Sequence, residues 1–389
     1  DYLPTLLQLA ILAAEPGNEI EMVAQLKHAI EAHPDALEPK LMLARFYAYS
    51  NAPGNIPALF ASLSELQQKS PDVLYLLAMA QIAERQYDKA LHNLEQLVQL
   101  EPDTAEVHHL LATAAEGIGD TERARVALKR AEEVDENFAP ALVSLAKLAW
   151  ADGNVSLFDT YLQRLIKLSP NTPDVLRLQA VAAQRDGDPA RAVELSRQVL
   201  ATEPGTMAML ELAGYLYVSG STREALQVVQ DWVSQNPTDV DARMALVSQL
   251  VGLGETEAVI QQLREVVKLQ PTNAEALNNL AWYLREQAPL EALEFSRLAV
   301  SLSPDRAELL DTLALLESDA GNHQQALEHI KRAIAASPGS SYLLYHHALI
   351  EARLGNKATA IDILKTVLGG DSAAFPEREK AEQLLASLQ

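Results

Sequence analysis

Residues 105–137 read AEVHHLLATAAEGIGDTERARVALKRAEEVDEN, and this stretch decides the fold. Its apolar residues recur at helical spacing on both sides of Gly119. A glycine in the left-handed conformation ends one helix, and a polar residue next to it helps to start another. Small residues lie where the two helices would cross, with Ala112 in the first helix and Ala124 and Ala131 in the second. The stretch therefore predicts a hairpin of two antiparallel helices.

The same punctuation returns about every 34 residues along the chain, which indicates a repeat array. Prolines, which stop second helices, stand at Pro34, Pro71, Pro102, Pro170, Pro204, Pro237, Pro271, Pro304 and Pro338. Glycines that would end first helices stand at Gly119, Gly153, Gly187, Gly220, Gly254, Gly321 and Gly355. One expected glycine is missing near Ala288. Small residues return at the crossing places near the C-terminal end as Ala314, Ala326 and Ala333.

This period, hairpin pattern and placement of small residues resemble the tetratricopeptide repeat family over nearly the whole chain. The resemblance implies an all-α, right-handed superhelical solenoid of about eleven hairpins, forming one domain over residues 1–389 with a C-terminal capping helix. The hairpins are expected at 3–34, 37–71, 72–102, 105–136, 139–170, 173–204, 206–237, 240–271, 274–304, 307–338 and 341–368, and the capping helix at 376–388. Segment 37–71 departs most, because SNAPGNIP at 50–57 lengthens the turn. We interpret it as a surface insertion, and the alternative is a protruding contact loop.

Composition excludes several classes of function. The 31 basic and 53 acidic residues give a net charge of −22, which disfavours binding to nucleic acid or to an anionic membrane surface. The acidic surface either keeps a long helical rod in solution or attracts a basic partner. The chain has no cysteine, so it forms no disulfide and offers no thiol nucleophile or thiolate ligand. No apolar run reaches the length of a membrane span.

Catalytic and metal-binding patterns are absent from the sequence. It contains no HExxH, GxSxG, phosphate-binding glycine loop or dinucleotide-binding fingerprint. Neighbours in a helix point about 100° apart, so adjacent histidines do not chelate one metal together. We interpret His108 and His347 as packing residues and His109 as lying on the other face of its helix. The repeats also leave no segment for a separate catalytic fold. The sequence therefore predicts a non-enzyme that needs no cofactor or metal.

A superhelix of such hairpins lines its concave groove with first helices. Positions two, five, nine and twelve of each first helix are expected to face that groove, where aromatic and arginine side chains favour binding. The predicted partner-binding residues are Asn278, Trp282, Arg285, Tyr342, Tyr345, Tyr217, Arg177 and Trp150. The first five of these define the expected principal site. The wider groove set adds Arg45, Tyr75, Met79, His109 and Lys147. The alternative for each of these residues is packing between neighbouring first helices.

The C-terminal third, from about Ala274 to Leu388, is more distinctive. It carries ALNNLAWYL at 276–284, ELLDTLALLESDAGNHQQALEHIKRAIAASPGS at 308–340, YHHALIEARLGNKATAIDILKTVL at 345–368 and FPEREKAEQLLASL at 375–388. These segments resemble the tetratricopeptide repeat lipoproteins of bacterial exosortase and exopolysaccharide gene clusters. The resemblance implies a signal and a lipidated cysteine upstream of Asp1, and a location in the periplasm or attached to the outer membrane. The alternative location is the cytoplasm.

The favoured function is a protein-interaction scaffold in a cell-envelope system for polysaccharide export or surface-protein sorting. Its partners would be proteins held in the groove, with no nucleic acid and no membrane span within these residues. One alternative is a cytosolic adaptor that binds an extended peptide or a chaperone tail. Another is a non-catalytic targeting subunit of an enzyme such as a glycosyltransferase. The chain starts with Asp1 inside a helical pattern, so we expect a fragment or a processed form.

Overall fold

The computed structural model describes residues 2–14, 18–50, 52–100, 104–369 and 375–389. Within these ranges all regular elements are helical, which confirms the predicted fold class. The α-helices are α1 (Leu3–Leu12), α2 (Glu19–Ala32), α3 (Leu37–Tyr49), α4 (Ile56–Phe60), α5 (Glu65–Gln68), α6 (Pro71–Ala83), α7 (Tyr87–Leu100), α8 (Ala105–Gly117), α9 (Thr121–Val134), α10 (Ala139–Ala151), α11 (Val155–Leu168), α12 (Pro173–Arg185), α13 (Pro189–Thr202), α14 (Thr206–Val218), α15 (Thr222–Gln235), α16 (Val240–Leu253), α17 (Thr256–Leu269), α18 (Ala274–Leu284), α19 (Pro289–Leu302), α20 (Ala307–Asp319), α21 (His323–Ala336), α22 (Ser341–Arg353), α23 (Lys357–Gly369) and α24 (Arg378–Leu388).

The helices form two compact units, Asp1–Leu195 and Ser196–Gln389, and the boundary falls within α13. Apart from the short helices α4 and α5, first and second helices alternate in each unit, and most of them pack on the helix that follows. The first helices are α1, α3, α6, α8, α10 and α12 in the first unit, and α14, α16, α18, α20 and α22 in the second. The expectation of one domain over 1–389 stays a prediction.

Left-handed glycines make the turns inside the hairpins. Gly119 has a φ of 79°, and each of the other six glycines of the series also has a positive φ. Arg85, which stands 34 residues before Gly119, has a φ of 57° and is the one non-glycine residue with positive φ among the described residues. The turn before α19 is built differently, because Ala288 has a φ of −143° and its N–H donates to the carbonyl of Leu284 at 2.8 Å.

The described prolines separate the hairpins as predicted, except for Pro71. Pro34, Pro170, Pro204, Pro237, Pro271, Pro304 and Pro338 each stand two residues after the end of a second helix. Pro71, by contrast, is the first residue of α6, a place where the missing proline N–H has no helical partner to lose. Pro102 lies outside the described residues.

Segment 37–71 departs from the hairpin plan where the sequence predicts it. Its second helix is replaced by the 3-10 helix Pro53–Asn55 and by the short helices α4 and α5. The core of this region survives, because Ile56 and Phe60 of α4 are buried against α3 and α6. Asn51 lies outside the described residues.

Buried alanines hold each hairpin together, as predicted. Ala112, Ala124 and Ala131 are buried, and so are their counterparts Ala314, Ala326 and Ala333. At the C-terminal end α24 packs on α22 and α23, in agreement with the predicted capping helix. Its buried Ala381 and the preceding Phe375 join one cluster with Leu364 and Val367 of α23. The cap thereby covers an apolar face that the last hairpin would otherwise expose.

Candidate partner-binding surface

Positions in each first helix are counted from its first residue. Trp150 is at position 12 of α10, and Tyr217 is at position 12 of α14. Trp150 is 40% exposed and Tyr217 is 65% exposed, so both large side chains reach the surface. Folding normally buries more of a side chain of this size, and the exposed area leaves each of the two residues available for contact with a partner.

The first unit contributes two of the predicted residues. Trp150 packs on Phe158 of α11, with 5.1 Å between ring centroids, and leaves part of its indole exposed. Arg177 is half-buried on α12. Both residues belong to Asp1–Leu195, whereas the other six predicted residues belong to the second unit. The predicted partner-binding residues are therefore divided between the two units.

Several residues of the wider groove set connect neighbouring first helices. Arg45 pairs with Asp72 at 2.7 Å, and the Tyr75 hydroxyl donates to Glu106. Burial and the hydrogen bond to Glu106 raise the pKa of Tyr75. Lys147 lies 3.5 Å from Asp174 of the next first helix. These three contacts fit the packing alternative for this part of the set. Met79 and His109 are half-buried.

Trp282 and Arg285 form an exposed pair in the second unit. The guanidinium carbon of Arg285 lies 3.9 Å from the centroid of the Trp282 ring, which is close enough for a cation–π contact. Trp282 is 38% exposed. Nearby in sequence, the side-chain oxygen Oδ1 of Asn278 is buried and accepts no hydrogen bond. Arg285 also lies 3.5 Å from Glu286, so the pair presents an aromatic surface with a partly neutralised cation at the end of α18.

The structure corrects the position of Tyr345. It is 7% exposed, and its ring packs on Phe375 with 6.3 Å between centroids. Tyr345 therefore belongs to the core beneath the capping helix and does not line a surface. Tyr342 is half-buried and meets the ring of His346 edge-on at 6.0 Å. The predicted principal site is thus reduced to the neighbourhood of Trp282 and Arg285.

The helix α20 explains why the exposed surface does not continue towards Tyr342. Its residues from Leu309 to Ser318 are all buried, including charged ones. Glu317, 3% exposed, accepts hydrogen bonds from Arg297 at 2.8 Å and from Asn322 at 2.7 Å. Asp311 pairs with His346 at 2.8 Å. Buried carboxylates are tolerated here because each has a charged or hydrogen-bonding partner.

One open feature is missed by the sequence prediction. A pocket of about 350 Å³ lies between the ends of α14 and α16 and the start of α15, next to Tyr217. Leu253, 50% exposed, forms part of its wall, and Gly252 forms another part. The available signal was the glycine inside a helical pattern, because an interior glycine lowers helix stability and therefore points to a packing or functional reason.

The histidines give no sign of a metal centre. His108 is buried, and His347 is half-buried with its pKa lowered chiefly by burial. In the described part of the chain, no group of three or more histidines and carboxylates could hold a metal ion. Among the described helices, none combines the length and apolarity that crossing a bilayer requires.

Rows of helical hairpins with this period define a class of helical repeat proteins. The family model described as tetratricopeptide repeat matches residues 75–133, 177–240 and 312–377. The chain therefore contains tetratricopeptide repeats. Proteins of this kind act as protein–protein interaction scaffolds and are in general not catalytic.

Similar proteins include tetratricopeptide repeat protein 21A of Mus musculus, which is 22% identical over 71% of this chain and 22% of its own length. Cellulose synthase operon protein C of Pseudomonas fluorescens is 24% identical over 82% of this chain and 27% of its own length. The chain thus spans about a quarter of the length of these curated relatives. A solved tetratricopeptide repeat protein from Parabacteroides merdae has a TM-score of 0.46 and is 18% identical, covering 56% of this chain and 88% of its own.

Proposed function

We propose that this chain is a protein-binding scaffold of a bacterial cell-envelope system that exports polysaccharide or sorts surface proteins. The observation that carries the binding part is the Trp282–Arg285 pair. A tryptophan held under a guanidinium on a rigid helix is ordered before a partner arrives, so little side-chain freedom is lost on binding. Tryptophan and arginine are also the residue types most enriched at interface hot spots.

The envelope part of the proposal is supported by two likenesses. Segments between 276 and 388 resemble lipoproteins of exosortase and exopolysaccharide clusters. The similarity to cellulose synthase operon protein C extends over 82% of this chain. That relative is named for a polysaccharide operon, and its wider function is carried over here as part of the proposal. A net charge of −22 also favours a partner with a basic surface.

Co-purification tests the binding part. A tagged chain is expressed in its native host, and proteins that co-purify with it are identified by mass spectrometry. Trp282→Ala should lower partner recovery by about tenfold or more, because truncating an aromatic anchor costs roughly 2–4 kcal/mol of binding free energy. The free energy of unfolding should fall by about 1 kcal/mol or less, since the indole is partly exposed.

Leu290→Ala is the matched control for this experiment. Leu290 lies on α19, the second helix of the same hairpin, and it is 79% exposed. Its truncation should leave partner recovery unchanged. Equal recovery with wild type and with folded Trp282→Ala would refute the binding part.

Fractionation of native host cells tests the envelope part separately. The protein should be recovered with the cell envelope. Recovery in the cytosol alone would contradict the envelope location and would leave the cytosolic adaptor as the better description.

A further inference from the structure

The pocket beside Tyr217 is open because of small side chains. Thr222 begins α15 on one side of it, and Ser248 and Gly252 of α16 stand on the other. A Cβ atom added to Gly252 would meet no other atom within 4 Å. The volume of about 350 Å³ exceeds that of a single side chain, so the pocket also has room for adjoining backbone.

The first unit shows what fills this place. Tyr87 is the first residue of α7, and its equivalent in the second unit is Thr222, the first residue of α15. Gly117 of α8 is likewise equivalent to Gly252 of α16. Both pairs are separated by the same 135 residues, four repeats along the chain. The ring of Tyr87 lies against Gly117, so closely that a Cβ atom added to Gly117 would be 2.3 Å from Cγ of Tyr87. The pocket is therefore the place that a tyrosine ring occupies four repeats earlier.

Gln249, one of the residues that line the pocket, also has a side-chain atom without a partner. The side-chain oxygen Oε1 of Gln249 is buried and accepts no hydrogen bond from the protein. The equivalent residue in α8 is Ala114, whose side chain has no hydrogen-bonding atom. A buried amide oxygen favours an occupant that brings a hydrogen-bond donor, because the alternative is an unsatisfied acceptor.

None of the described residues that line the pocket is charged, but the helices that form it belong to an acidic segment of the chain. Residues 206–257 contain seven carboxylates and two arginines. One of the arginines, Arg243, is buried and donates to the carbonyl of Pro237 at 2.8 Å and to Gln262 at 2.7 Å. α14 and α16 end beside the pocket without a basic residue in their last turns. The negative ends of these two helix dipoles favour a cation, and the positive end of α15, which begins at Thr222, offsets part of that effect.

We infer that this pocket holds an aromatic side chain from a basic segment of a partner protein, with a donor on that segment bonded to Gln249 Oε1. The inference rests on the proposed function, since it assigns a binding site to the same scaffold. Tyr217 would border the bound ring, and lysine or arginine residues on either side of the aromatic residue would face the carboxylates.

A self-filling variant tests the inference. Thr222→Tyr places a tyrosine at the start of α15, as Tyr87 stands at the start of α7, and should close the pocket from within. The probe is the dye-labelled peptide Gly-Lys-Lys-Tyr-Lys-Lys-Gly. Its binding is measured by fluorescence polarisation as the 389-residue chain is titrated into it. Wild type should bind it saturably, and Thr222→Tyr should bind at least about tenfold more weakly while melting no earlier than wild type.

Matched controls make the result specific. Thr256→Tyr is the same substitution at the start of α17, one hairpin further on, and it should leave peptide affinity unchanged. A peptide with alanine in place of tyrosine should bind wild type at least about tenfold more weakly. Tyr217→Ala should also weaken peptide binding, and it should fold normally because Tyr217 is 65% exposed. This variant keeps the inference testable if Thr222→Tyr fails to fold.

Two results would overturn the inference. One is equal affinity for the tyrosine and alanine peptides, including no saturable binding of either. The other is unchanged affinity in a folded Thr222→Tyr variant together with unchanged affinity in Tyr217→Ala. If the peptide does not bind while Trp282→Ala still loses its co-purified partner, the inference about the pocket is wrong and the proposed scaffold function is kept. If the peptide assay succeeds while Trp282→Ala keeps all partners, the Trp282 site falls and the pocket stands.

Discussion

Residues 71–117 and 206–252 follow one helical plan, yet the first region is filled at a place where the second is open. Both regions contain a first helix, a second helix and the first helix of the next hairpin. The Tyr87 ring packs on Gly117 in the first region, whereas Thr222 leaves space opposite Gly252 in the second. The backbone of the repeat therefore sets where a pocket can form, and the volume of one side chain determines whether it does.

The largest effect is expected from opening the filled region. Tyr87→Thr should create at Gly117 a pocket like the one at Gly252, at the cost of the packing of a half-buried ring. We expect the free energy of unfolding to fall by about 2–3 kcal/mol. Chemical denaturation measures the change, and crystallography of the variant shows whether the space stays open. A loss below about 0.5 kcal/mol would mean that the ring contributes little to the first region.

The two glycines should respond to the same substitution with opposite signs. Gly117→Ala adds a methyl group 2.3 Å from the Tyr87 ring and should destabilise the chain by roughly 1–2 kcal/mol through overpacking. Gly252→Ala meets no atom within 4 Å and should stabilise α16 by roughly 0.5–1 kcal/mol through helix propensity. Paired thermal melts of the two variants measure both effects. The same sign in both would contradict the comparison of the two sites.

The turns of the two regions offer a smaller, sharper test. Arg85 has a φ of 57° and stands where the second region has Gly220 with a φ of 83°. A left-handed conformation costs a side chain about 1–2 kcal/mol, and part of that cost is offset by the extra unfolded-state freedom of glycine. Arg85→Gly should therefore raise the free energy of unfolding by about 0.5 kcal/mol, and Gly220→Arg should lower it. Urea denaturation of both variants checks the pair, and a destabilising Arg85→Gly would be contrary to expectation.

The smallest expected effect concerns pH. His109 of the first region is replaced by Met244 in the second. Burial, assisted by Lys147 and opposed by Glu106, lowers the pKa of His109 below its usual value near 6.5. The unfolded chain therefore takes up the proton first, and the stability conferred by neutral His109 is lost as pH falls from about 6.5 to the folded pKa.

His109→Met should make the melting temperature fall less between pH 7 and pH 5. His92→Gln, at an exposed histidine on α7, is the control and should follow wild type. Identical pH profiles for wild type and His109→Met would show that His109 does not contribute to acid sensitivity.

Local sequence patterns were sufficient to predict the fold. The glycine series predicts the positive φ values, the small residues predict the helix crossings, and the prolines that the structure describes, other than Pro71, predict the separation of hairpins. These patterns succeed because a backbone conformation or a close helix contact restricts the residue at that position, whatever the neighbouring repeats contain.

Exposure at the predicted partner-binding positions was predicted less well, because it depends on neighbouring helices. Positions two, five, nine and twelve include exposed Tyr217 and Trp282, but they also include buried Tyr345. The same helical position is open or closed according to the side chains that the adjoining helices bring to it. Counting along a first helix therefore identifies candidates and does not rank them.

The amino-acid pattern alone predicts the helices, their pairing into hairpins and the repeat type, since a period of about 34 residues with fixed turn and crossing residues permits few other arrangements. The tertiary structure decided which surfaces remain accessible. It placed Tyr345 beneath Phe375 and the capping helix, and it left a pocket at Gly252 where the first region holds a tyrosine ring. The physical reason is that packing depends on the volumes of side chains far apart in sequence, whereas helix formation depends on residues within a few turns of one another.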